Sequence, residues 1–168
     1  MKIIVDTSKR ILRIGGQEYT CAIGKNGVVP ECDGREGDGK TPLGSYQIRY
    51  GMYRANKIAL PTTKLLFWPI RRFDGWCDAP DDPAYNRPVR LPYLTSTETL
   101  WRDSGVYDII LVLGHNDNPP KQGMGSAVFL HVAREGYAPT EGCVAVSQDD
   151  MLALIPKLSP GIYVEILA

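Results

Sequence analysis

The order of apolar and polar positions makes the start of the chain a β-meander. Ile3–Val5 and Arg10–Ile14 are short β-type runs, and the turn Asp6-Thr7-Ser8-Lys9 joins them as a hairpin. Gly15-Gly16 marks a second hairpin into a half-buried strand, where Tyr19, Cys21 and Ile23 alternate with smaller residues. Residues 24–45 are dense in Gly and charge and are expected to be loop-rich, and Tyr46–Tyr53 returns to a strand pattern. Thr95-Ser96-Thr97-Glu98 has the form of a capping box and predicts a short helix through Trp101. Tyr107–Leu113 and Ala127–Val132 are apolar runs with polar or Gly flanks, as central strands require. Ser147-Gln148-Asp149-Asp150 opens the clearest helix, with Met151, Leu152, Leu154, Ile155 and Leu158 on or near one face. Ser159-Pro160-Gly161 turns the chain into a last strand, Ile162–Leu167. The expected fold is mostly β with minor α: a β-sandwich with a short capping helix and one longer C-terminal helix.

Composition narrows the class. A chain of 168 residues suits one domain, residues 1–168. With 19 basic and 19 acidic residues the formal charge is zero, so no phosphate-tracking surface and no nucleic-acid partner is expected. The opening Met1-Lys2-Ile3-Ile4-Val5-Asp6 meets an acid before any long apolar run, so neither a signal peptide nor a membrane span is expected there. The cysteines at 21, 32, 77 and 143 form no Cys-x-x-Cys, and with only two histidines neither a metal site nor a cofactor is expected. Cys32 and Cys77 are a possible pair only in an oxidising compartment.

Asp78 to Pro92 carries four prolines and acids at 78, 81 and 82. Such a segment is stiff and poor in ladder hydrogen bonds. It is either an ordered surface excursion or a semi-rigid wall beside a site.

The candidate chemistry centres on Thr140-Glu141-Gly142-Cys143-Val144. Gly before Cys lets a substrate approach the backbone, and the amides of Gly142 and Cys143 could face a developing oxyanion. A cysteine nucleophile needs a base, and His131 ends a predicted strand twelve positions upstream. On spacing alone, a packing role for Cys143 competes with this reading. His115, in Gly114-His115-Asn116-Asp117-Asn118, reads as a loop cap or as a cleft-lining residue. Arg134 and Tyr137 lie between His131 and Cys143 and are candidate substrate contacts. Trp68, Trp76 and Trp101 read as packing residues.

Thr41-Pro42-Leu43-Gly44-Ser45-Tyr46 resembles the Thr-Pro-x-Gly-x-aromatic motif of YkuD-type L,D-transpeptidase domains. Phe129-Leu130-His131 resembles that family's strand-end histidine, and Thr140-Glu141-Gly142-Cys143-Val144 its Ser/Thr-His-Gly-Cys-Ile/Val segment. The resemblance spans nearly the whole chain. It implies Cys143 as nucleophile, His131 as general base, Gly142 and Cys143 as the oxyanion hole, and His115, Arg134, Tyr137 and Glu141 as substrate contacts. The implied partners are peptidoglycan stem peptides, as donor and as acceptor. A periplasmic, monomeric enzyme of cell-wall organisation is the matching expectation. Glu141 stands where the family pattern has His, Ala145 where Arg is common, and the His-to-Cys segment is short. These departures suggest a divergent branch that makes 1,3 rather than 3,3 linkages. Water in place of the acceptor amine would make the same site a carboxypeptidase or amidase, and an inactive peptidoglycan-binding module is a third reading.

Overall fold

The alternation of the opening residues closes a ring of strands around one dry interior. The computed structural model describes residues 1–168. Its strands are β1 (Lys2–Asp6), β2 (Ile11–Ile14), β3 (Gln17–Ala22), β4 (Val28–Pro30), β5 (Thr41–Tyr53), β6 (Phe67–Pro69), β7 (Asp74–Cys77), β8 (Pro88–Arg90), β9 (Thr97–Thr99), β10 (Ile109–Leu113), β11 (Phe129–Val132), β12 (Val144–Val146) and β13 (Tyr163–Leu167). One α-helix, α1 (Gln148–Leu154), runs on into a 3-10 turn at Ile155–Lys157.

The main sheet runs β10-β11-β12-β3-β2-β1-β13-β5. β5 then closes it: Gly44–Gln47 pair with β13 and Ile48–Tyr53 pair with β10. Two layers result, joined through the long β5, in the manner of a sandwich. Between them lies a core of Ile3, Val5, Leu12, Ile14, Leu111, Leu130, Val144, Val164 and others, all nearly free of solvent. Met151 and Leu154 of α1 complete it. Ser147 Oγ accepts from Asp150 N–H at 3.1 Å, so the expected N-cap is in place.

A second cluster lies outside the β10–β11 layer. Ile110, Val112 and Phe129 pack there against Trp76 and Leu100 of a small three-stranded sheet, β8-β7-β9, and its flank. The mostly β, minor α sandwich is as the sequence implied, with two local corrections. Thr95–Trp101 is not a helix: Thr97–Thr99 is β9, paired with β7 through Trp76↔Glu98. Non-local pairing overrides the capping signal because Glu98 turns inward instead of back to its own turn. The segment expected to be loop holds β4 and the start of β5, with Val28–Pro30 parallel to Thr41–Leu43.

Of the three tryptophans, Trp76 is buried and Trp101 is stacked by the Arg54 guanidinium at 3.6 Å, but Trp68 is 53% exposed. All four cysteines are free, so Cys32 and Cys77 are unpaired. No helix is long and apolar enough to cross a membrane.

Candidate active site

Strands β11 and β12 run parallel with Leu130↔Val144 and His131↔Ala145 in register. Side chains alternate across a strand. Leu130, Val132, Val144 and Val146 therefore enter the inner core, while Phe129 and Cys143 pack with the outer cluster. His131 joins them on that outer side, edge-on to Tyr107 with ring centroids 5.3 Å apart. Cys143 and His131 thus share one face, as a nucleophile and its base must.

The turn carrying Cys143 is built from three directions. Thr140 N–H donates to Ile23 O at 3.0 Å, and Lys25 N–H to Thr140 O at 2.8 Å, which ties the turn to the end of β3. Thr140 Oγ1–H donates to Cys143 O at 2.6 Å and accepts from Gly142 N–H at 3.1 Å. Gly142 has φ +140°, and a Cβ there would meet Lys40 O at 2.8 Å, so only glycine fits. The Thr41-Pro42 motif supplies this backing: Thr41, fully buried, accepts from Gly24 N–H at 2.8 Å, beside the Gly24↔Thr140 bridge. Gly44 is required for a related reason, since a Cβ would strike the Tyr46 hydroxyl at 2.7 Å. The expected oxyanion pair is altered in this state, because the Gly142 amide is committed to Thr140.

Cys143 Sγ accepts from Phe129 N–H at 3.3 Å and donates to Ala127 O at 3.2 Å, the pattern of a protonated thiol. Burial pushes its pKa up to about 12, and the Glu98 charge adds to the rise. His131 Nδ1 lies 2.9 Å from Val132 O. A carbonyl can only accept, so Nδ1 carries the proton and Nε2 is left unprotonated. Burial lowers the His131 pKa to about 4, with the Arg102 and Arg134 charges acting in the same direction. Thiol and imidazole are both neutral at rest, and no hydrogen bond joins them.

Two cavities meet at Cys143. The larger, about 250 Å³, runs past Gly34–Asp38, Asp78, His115 and Met124–Val128. The smaller, about 120 Å³, is lined by Arg102, Tyr107, His131, Arg134 and Thr140. Glu98, Glu141 and Cys143 line both. Of the residues singled out in the sequence, His131 and Arg134 face the smaller cavity, and His115 the larger one. Glu141 sits at the rim, paired with Lys25 at 2.8 Å. Tyr137 lines neither cavity; its hydroxyl turns to Asp150 Oδ2 at 3.4 Å.

Of the Asp78–Pro92 segment, Asp78 alone lines the larger cavity, and Asn86 pins the rest to the adjoining chain. Asn86 is buried and fully bonded: Oδ1 accepts from Trp76 Nε1 at 2.9 Å and Ala127 N–H at 3.0 Å, and Nδ2 donates to His115 O and Asn116 O. Pro88 is accommodated at the edge of the small sheet, where no donor is missed.

Sequence reading missed a cluster beside Cys143. Tyr107 O–H donates to Glu98 Oε2 at 2.6 Å, and Arg102 Nη2 reaches the same oxygen at 3.3 Å while stacking 4.3 Å over Tyr107. The only signal was Glu98 itself, which its local pattern assigned to a helix cap.

The model of the YkuD family, the L,D-transpeptidase catalytic domain, matches residues 1–166. Nothing among curated proteins matches. Among solved structures, Bd1075 from Bdellovibrio bacteriovorus is 18% identical with a TM-score of 0.49, covering 99% of this chain and 47% of that one. An L,D-transpeptidase from Mycobacterium smegmatis is 15% identical with a TM-score of 0.46, covering 99% and 58%. Mycobacterium tuberculosis L,D-transpeptidase 1 is 14% identical with a TM-score of 0.45, again covering 99% and 58%. The chain spans about half the length of these structures. On the family match over nearly its whole length, the chain belongs to the YkuD family of L,D-transpeptidase catalytic domains.

Proposed function

We propose that the protein is a peptidoglycan L,D-transpeptidase working through a Cys143 thioester. The observation that supports this is that Cys143 and His131 lie on one face, with Cys143 at the junction of two cavities and His131 lining the smaller one. The donor carbonyl is attacked by Cys143 Sγ, and the thiol proton passes to His131 Nε2. The Cys143 amide stabilises the oxyanion, joined by the Gly142 amide once Thr140 releases it. The donor C–N bond breaks as His131 returns the proton to the leaving amine, and a thioester remains. An acceptor amine then forms the new C–N bond, the C–S bond breaks, and Cys143 regains a proton through His131. Each turnover consumes one ammonium and releases another, so protons balance, and no cofactor is called for. The substrates are stem peptides as donor and acceptor; the setting is the periplasm and the enzyme acts as a monomer.

The donor position is proposed to be the L-Ala carbonyl, giving a 1,3 linkage. Support comes from Ala145, buried beside His131 where the common Arg is absent, and from the acid at 141. Arg102 and Arg134 in the smaller cavity favour a second reading, a tetrapeptide donor held by its terminal carboxylate in a 3,3 reaction. Purified peptidoglycan with stems of defined length, analysed by muropeptide mass spectrometry with and without added amine, separates the readings. Cross-links from stems of several lengths are expected. Tetrapeptide-only donors with 3,3 products would exclude the 1,3 assignment, and acceptor-independent trimming alone would make the enzyme a hydrolase.

A further inference from the structure

Strand β6 presents an aromatic side chain that the fold leaves uncovered. Leu65 and Phe67 turn inward to the core, and Phe67 sits edge-on to Tyr53 with ring centroids 6.4 Å apart. Alternation then sends Leu66 and Trp68 outward, and both are exposed. Trp68 thus differs from Trp76, which packs on Phe129, and from Trp101, which lies under Arg54. It borders a cavity of about 420 Å³ that also has Tyr50, Arg71 and Asp74 in its walls. Tyr50 lines a second cavity of the same volume, with Arg87, Pro88 and the Arg49–Asp117 ion pair. Together they form a groove between β5 of the main sheet and the β7–β8 side of the small one.

The polar groups of this groove are open to a ligand. Neither the Arg71 nor the Arg87 guanidinium enters an ion pair of the chain. Asp74 Oδ2 accepts from Arg71 N–H at 2.8 Å, which leaves Oδ1 available. Burial raises the Tyr50 hydroxyl, and the nearby Arg87 charge opposes the rise. Three bases, Arg49, Arg71 and Arg87, face two acids, Asp74 and Asp117, so the groove is slightly positive. Such an excess is too small for a nucleic acid, which is held through many phosphate contacts. An apolar protein face laid over the groove would strand its polar groups, at about 1–3 kcal/mol for each one buried unpaired. A sugar satisfies both parts. The C–H face of a pyranose ring stacks on an indole, and its hydroxyl and acetamido groups reach donors and acceptors at the edge.

We propose that this groove binds the glycan strand of peptidoglycan, an N-acetylated sugar polymer. Trp68 is the stacking platform, and Arg71, Asp74 and Arg87 are the hydrogen-bonding partners around Tyr50. The carboxylates that the polymer carries match the positive excess. The choice of polymer rests on the transpeptidase reading, and nothing is assigned here to the cleft at Cys143. The placing of the two sites agrees with a shared substrate. The small sheet runs β8-β7-β9; Pro88 of β8 lines the groove, and Glu98 of β9 lines the cavities at Cys143. Two strand spacings, about 10 Å, separate those edges. An extended stem of four residues covers about 13 Å. A strand held in the groove therefore presents its own stem within reach of the thiol.

The test is isothermal titration of the whole protein with two probes. One is an N-acetylglucosamine hexamer, which is neutral; the other is glycan strands stripped of their stems, whose lactyl groups are free carboxylates. Both should bind the wild type. Trp68→Ala should weaken both by at least about 10-fold, the scale of a tryptophan anchor, and Trp68→Phe should restore part. Arg71→Gln combined with Arg87→Gln should weaken the stripped strands more than the hexamer. All three side chains are exposed, so thermal melting should be unchanged. No binding of either probe, or equal binding by wild type and Trp68→Ala, overturns the site. Poly-L-glutamate binding as tightly as stripped strands, with no hexamer binding, overturns it in favour of an acidic peptide. Acylation of Cys143 by a free stem peptide should be the same in Trp68→Ala, while cross-linking of polymeric peptidoglycan should fall about 10-fold. Probe binding without any acyl-enzyme in the wild type would defeat the transpeptidase reading and leave the glycan site standing. Acyl-enzyme formation without probe binding would do the reverse.

Discussion

The inner and outer faces of β11 and β12 come from the same short stretches of chain and have opposite fates. Inward, Leu130, Val132, Val144 and Val146 meet apolar neighbours, and none is more than 6% exposed. Outward, Phe129, Ala145, His131 and the adjoining Cys143 face a layer that is only partly covered, with two cavities and the Glu98–Arg102–Tyr107 cluster. The inner face is satisfied by packing alone. The outer face holds a buried imidazole and a half-buried thiol in neutral form and leaves carboxylate oxygens unpaired, so its order depends on the inner one. A rigid β-ladder one residue away allows a catalytic side chain to be held where its own contacts would not hold it.

Substitutions should separate the faces. Leu130→Ala, at a fully buried inner position, is expected to cost about 2–5 kcal/mol in urea unfolding. Activity per folded molecule should persist, and its loss without loss of stability would blur the division. Acid should reveal the outer face through His131. Its folded pKa is lowered from 6.5 to about 4, so the unfolded chain binds the proton first. Stability is fully present above pH 6.5 and falls as pH drops toward 4, by about 3 kcal/mol for this group. Unfolding curves at pH 7 and pH 4 check this, and His131→Asn should remove that part of the slope. In kinetics, His131→Ala should lower the rate by at least ~10², the usual scale for a lost acid–base group, with Leu130→Ala as the contrast. The smallest effect belongs to the helix beneath the inner core: Ser147→Ala should cost about 1 kcal/mol in unfolding with no change in rate.

The inner face was the legible part of the fold. Short β-type and apolar runs located β1, β2, β10 and β11, alternation located β3, the Ser159-Pro160-Gly161 turn located β13, and the cap at Ser147 located α1, because each signal is local and agrees with its tertiary setting. Thr95–Trp101 failed where local and non-local signals conflict: Glu98 fits a capping box, yet it is paired in β9 and turned to Tyr107. The Cys143–His131 pair was legible from motif likeness. The likeness also marked Gly44 and Gly142, whose close contacts with Tyr46 and Lys40 O give a physical reason for glycine. Asp78, Glu98 and Arg102 were not legible as residues lining the cavities at Cys143, since distant segments bring them together and no spacing along the chain encodes that. The same holds for Asn86, whose four hydrogen bonds make removal of Asp78–Pro92 a cost in stability and not only in substrate choice.

The claim at the centre is that the outer-face thiol is the acylated nucleophile. Intact-protein mass spectrometry after brief incubation with a purified stem-peptide donor tests it most directly. The account predicts an adduct equal to the donor less its leaving amine, mapped by digestion to Cys143 and discharged on adding an amine acceptor, with none on Cys143→Ala. Cross-linked product formed at the normal rate by Cys143→Ala, or an adduct mapped to another residue, would contradict it.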